Sequence, residues 1–185
     1  MTLFEYITVA ISMVLALTIV HGLDGLAHVY DEKRRYSVHA VWFALKLFHP
    51  LLLWWSMWGL RDIATWNFLA FVLGVAGPTF LYLQISTLIP RRPDRVTDWK
   101  EHYFSVRKRF FLANIALVLS GPLQLFSLGT LTYGGLLLLG SAGEILMSVI
   151  ALRSTNHRTH LTIVTLECIG FLFWSLLLFR PLSFL

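Results

Sequence analysis

Seven side chains in this sequence could do acid–base or ligand chemistry from positions where an apolar helix would carry leucine. His21, Asp24 and His28 fall in HGLDGLAH, Lys46 and His49 in LKLFHP, Glu144 in GSAGE, and Glu167 beside Cys168. At 100° per residue, His21, Asp24, Gly25 and His28 lie within about 100° of one another on a helix, with Leu23 and Leu26 opposite. That polar face is expected to look into a helix bundle, because a charge facing lipid is costly. Lys46 and His49 are three apart and share a face; Glu144 has Gly140 and Ser148 one turn away on either side. Histidine titrates near neutral pH, and burial brings a carboxylate toward the same range. Together these groups are the material of a proton relay or a small-cation site. Tyr82, Gln84 and Asn114 add matching polar groups.

The elements that must position them are membrane helices. The chain has 185 residues, is 57% hydrophobic and only 14% charged, with a mean hydropathy of +0.69. Soluble domains carry about a quarter charged residues. The apolar residues fall in blocks of about 20, the length that crosses a bilayer. A membrane β-barrel would alternate apolar and polar with period two, and this chain does not. The expected fold is all-α: one domain over residues 1–185, a bundle of six transmembrane helices near 3–29, 37–59, 66–89, 110–128, 130–152 and 161–180. The break near SLGT at 127–130 is faint, with Gly129 its only stop signal. The first segment has no basic residue before its apolar run and no clear small-residue cleavage site, so it reads as an uncleaved helix rather than a signal peptide.

The third loop is long enough for structure of its own. Asp98 followed by Glu101 reads as a helix cap with a reciprocal partner. Trp99, Tyr103, Val106 and Phe110 recur at helical spacing, followed by Arg107, Lys108 and Arg109 where anionic lipid headgroups would be. Residues 98–109 are expected to form a short interfacial helix before helix four; simple extension of helix four is the alternative.

Loops one, three and five hold twelve of the Lys and Arg residues, whereas the opposite loops hold only Arg61 and Arg180. The positive-inside rule then puts these three loops in the cytoplasm and both termini outside, in a plasma (inner) membrane. Trp54, Trp55, Trp58 and Trp66 would mark the outer interface. At ~1.5 Å per residue from the inner ends, His21, Lys46 and Glu144 reach depths of roughly 12–13 Å, and Asp24 and Glu167 roughly 9 Å. A single layer of polar groups in the inner half is therefore expected. All seven histidines fall on that side.

Competing functions are weaker. His21 and His28 are two turns apart and cannot share one metal by themselves, but Asp24 and His28 could, with His157 and His160 as further ligands from loop five. A haem would need facing histidines, with His21 and His49 the best placed. No known metal-binding spacing is matched, and a lone cysteine makes neither a disulfide nor a cysteine cluster. The polar groups could simply tie helices together, with Lys46 paired to Glu144 or Glu167. Small-residue faces (Ala70, Gly74 and Gly77; Ala116 and Ser120) would suit a homo-oligomer or a subunit of a larger complex. Nothing indicates nucleic-acid binding or hydrolytic catalysis.

Overall fold

The computed structural model describes residues 2–31, 34–63, 65–131 and 135–178; Lys33 and Arg180 lie outside them. The described chain is all-helical, with six helices long and apolar enough to span a membrane: α1 (Leu3–Val29), α2 (Ser37–Ser56, continued by a 3-10 turn Met57–Leu60), α3 (Phe68–Leu88), α4 (Trp99–Ser127), α5 (Gly135–Arg153) and α6 (His157–Leu178).

Their starts follow from side chains that satisfy the free N–H groups of a first turn. Thr2 and Glu5 form a reciprocal cap on α1. Asn67 accepts from the Ala70 N–H at 2.8 Å to open α3. Asp98 accepts from the Lys100 N–H at 2.7 Å to open α4, without the reciprocal Glu101 bond. The faint break after α4 is a true stop. Gly129 takes φ +70°, the left-handed conformation that glycine adopts at helix ends. The Leu128 and Thr130 N–H groups close back on the carbonyls of Gln124 and Leu125.

The third loop differs from expectation. Residues 99–109 are the opening turns of α4, continuous with the rest of the helix. The reason is packing: Trp99, Tyr103 and Phe110 are fully buried. Their stripe fills a core with Val29, Trp42, Phe43, Leu88 and Phe111, to which Ala151, Ile163 and Val164 of α5 and α6 contribute. An amphipathic pattern cannot tell an apolar face on protein from one on lipid.

Helices α3 and α4 share the most extensive contact, and α1 lies against α3 and α2. Small residues permit this closeness. A Cβ on Gly74 would meet the Gln124 side chain at 2.6 Å, and one on Gly77 would meet Ser120 Oγ at 3.1 Å. Helix α5 lies on α4 and α6 on α2, but α5 and α6 touch each other only lightly.

Candidate functional site

Lys46 sits on α2 and is almost fully buried. Its ammonium donates to Asn114 Oδ1 of α4 at 2.8 Å. The same oxygen accepts from Gln84 Nε2 of α3 at 3.1 Å, and Asn114 Nδ2 donates to Ser148 Oγ of α5 at 3.1 Å. One lysine thus draws four helices into a polar node. Trp42, one turn before it, lies with its ring centre 5.3 Å from the ammonium, a cation–π contact.

The expected ion pair is replaced by this arrangement. Among the described residues Lys46 has no carboxylate within 4 Å. Glu167 and Glu144 act on it through space, while Asn114 takes the direct bond. The two glutamates instead line one groove between α5 and α6, where their carboxyl groups act on each other. Glu167 is 9% exposed, and no N–H donor reaches it among the described residues. Both line a groove of about 240 Å³ between α5 and α6, with Gly140, Gly143, Gly170 and Trp174. His49 belongs to this side of the bundle, its ring facing Phe171 of α6 at 6.4 Å between centres. Trp174 was not singled out from the sequence, although it stands seven residues after Glu167 and so on the same helix face.

The HGLDGLAH stretch lies elsewhere. Its inward residues are Gly22, Gly25 and Val29. A Cβ on Gly22 would meet Leu47 at 2.7 Å, and one on Gly25 would meet Ile89 at 2.6 Å. Asp24 is exposed, about 100° round the helix from Gly25. Close approach of backbones, not the polar groups, chose the inward face. His21 packs on Tyr82, with ring centres 5.8 Å apart, and donates from Nε2 to the Ile89 carbonyl at 3.3 Å. The expected layer of seven residues therefore divides. Lys46, His49, Glu144 and Glu167 gather toward α5 and α6, while His21, Asp24 and His28 stay on α1, which packs on α2 and α3.

The histidines have a second explanation. Helices α1, α3 and α5 end at the basic end of the bundle, where their last carbonyls lack intrahelical partners. Around the end of α3, His102 Nε2 bonds the Thr87 carbonyl at 3.1 Å, His39 Nε2 bonds Leu88 at 3.0 Å, and His21 bonds Ile89. Pro90 follows and has no N–H to offer. The Trp99 indole donates to the His28 carbonyl at the end of α1, at 2.8 Å. His160 Nε2 bonds the Ser154 carbonyl after α5 at 3.0 Å, leaving its Nδ1 to accept from the Tyr103 hydroxyl at 2.9 Å. His157 Nδ1 meets the Tyr36 hydroxyl at 2.8 Å. Burial pushes that hydroxyl up to about 12, so it remains a donor at neutral pH. Most of the one-sided histidines are thus helix caps, and imidazole is apt there because its ring N–H can donate to a carbonyl that lacks an intrahelical partner.

This geometry bears on the ligand sets expected from sequence. Both nitrogens of His160 are engaged, and no three His, Cys, Asp or Glu side chains among the described residues are placed to hold a metal. Asp24, His28, His157 and His160 do not converge. His21 and His49 occupy different helix interfaces and cannot face each other across a haem.

No family model, curated protein or solved structure matches this chain.

Proposed function

We propose that this chain is an integral membrane protein that binds and translocates protons, or a small cation in their place, at Glu144 and Glu167. Lys46 serves as the fixed counter-charge. The observation that carries this reading is two carboxyl groups lining one groove, near a buried ammonium yet not bonded to it. Two acidic side chains lining one largely apolar groove make ionising both costly, which suits the pair to hold an exchangeable proton. Lys46 offsets the remaining negative charge, without which a buried carboxylate would be costly. The positive-inside rule supports a cytoplasmic position for the basic loops and an outside position for both termini. Lys108 and Arg109, exposed at that end, would meet anionic headgroups; Arg107 is half-buried and bonds the Phe104 carbonyl at 2.7 Å. A site this far inside the bundle needs a conformational change or a second copy to connect it to the other face.

Purified protein in liposomes, under a pH gradient with a fluorescent pH reporter, tests the proposal. Glu167→Gln should abolish flux with the fold intact. Wild-type protein that carries no proton or cation under any gradient would reject it, leaving a structural subunit of a larger complex.

A further inference from the structure

The groove between α5 and α6 constrains what could replace the proton. Its walls are mainly apolar, with Leu136, Leu139 and Met147 beside the glycines and Trp174. A Cβ on Gly140 would lie 3.5 Å from the Trp174 ring, and one on Gly143 would meet nothing within 4 Å. Glycine at both positions keeps the space open. The groove also opens to the side of the bundle, between flanking residues such as Leu139, Leu166 and Phe173, all strongly exposed.

A metal cation fits poorly here. Hard cations take about six oxygen ligands, and sodium-like sites recruit backbone carbonyls from unwound helices. Around the glutamates both helices are unbroken, so their carbonyls are spent on helix bonds. An organic cation needs less: one or two carboxylates, an aromatic face and room for an apolar body.

Charge balance fixes its valence. With one proton shared, the pair carries one negative charge, matched by Lys46. If that proton leaves to bulk water and a monovalent cation enters, two carboxylates face two positive charges and the site is neutral again. A divalent ion would leave a net positive charge in an apolar setting, which is costly.

We propose that the α5–α6 groove binds a compact lipophilic monovalent amine, entering from the side of the bundle and displacing the proton shared by Glu144 and Glu167. This rests on the proton-binding reading above and specifies the substrate class of the same site. Trp174 supplies the aromatic face, and Glu167, nine-tenths buried and facing the groove, supplies the charge.

The test uses full-length protein in detergent or nanodiscs with benzyltrimethylammonium, whose charge does not change with pH. Titration in weakly buffered solution should show saturable binding with release of about one proton per cation bound. Glu167→Gln should remove the proton release. Trp174→Leu should weaken binding by ~10-fold, in the range of a desolvated cation–π contact. Gly143→Leu should fill the groove and weaken binding without touching a charge. Infrared spectroscopy of the protonated-carboxyl stretch, lost in Glu167→Gln, reports the shared proton with no amine present. That band present but no amine binding, or binding indifferent to Gly143→Leu and Glu167→Gln, would overturn this inference and leave the proton site standing. Absence of the band would remove both.

Discussion

The basic end of the bundle and the α5–α6 groove are both rich in titratable side chains, yet they are built on opposite terms. At the basic end the groups are mostly matched: His102, His39 and His21 each bond a carbonyl at the end of α3, and both nitrogens of His160 are engaged. In the groove neither carboxyl group is bonded to a donor among the described residues, and the nearby ammonium is turned to an amide. Side chains spent on helix-end carbonyls hold helices in register; carboxyl groups that line an open groove are placed to take up a proton or a ligand. The number of histidines and acids in a layer is therefore a poor guide to a site. What each one bonds, and whether it lines open space, is a better one.

Substitutions can break or sharpen this contrast. The largest effect belongs to Lys46. Lys46→Met strands two carboxyl groups without a counter-charge and deprives Asn114 of a donor, so it should cost about 3–5 kcal/mol, measured by unfolding in detergent. Adding Glu167→Gln should restore part of that loss despite the lack of a direct bond. Simple additivity of the two changes would show that the charges do not couple, and the groove would lose its distinction.

A smaller effect is expected at the capped end. His39→Leu leaves the buried Leu88 carbonyl without its donor and removes the stack on Trp99, now 4.7 Å between ring centres. It should lower stability by about 1–3 kcal/mol while proton flux per folded molecule stays unchanged. Loss of flux in a folded His39 variant would move the functional site toward the basic end. The smallest effect is expected at Asp24. Asp24→Asn should change neither stability nor flux measurably, as for most exposed positions. If it abolished flux, the division between the α1 histidines and the groove would fail.

Much of the fold was legible because six apolar runs of bilayer length are separated by charges or turn residues. Even the uncharged stop at Gly129 carried a conformational reason. What could not be read was direction. When a helix is apolar all round, the side facing lipid and the side facing protein have similar composition, so HGLDGLAH was oriented by its polar residues when its glycines decide. The opening of α4 departs from its amphipathic reading for a related reason, since Trp99 and Tyr103 face a protein core. In the site, Lys46, Glu144 and Glu167 were recognised as partners at comparable depth. Their bonding was not, because only the packing reveals that Asn114 stands within reach of Lys46 and that the two acids converge.

The light contact between α5 and α6 bears on how the chain is assembled. One apolar cluster (Ile7, Ile11, Leu15, Met57, Leu81 and Leu117) is drawn entirely from residues before α5. Lys46, Gln84 and Asn114 likewise precede it, so three members of the polar node can meet before the last hairpin leaves the ribosome. Synthesis from the N-terminus favours such an order. Helices α5 and α6 then dock on separate partners, α4 and α2, like two shutters hung on opposite posts of a finished frame. The seam where the shutters meet is closed last, and it is the seam that holds the acids.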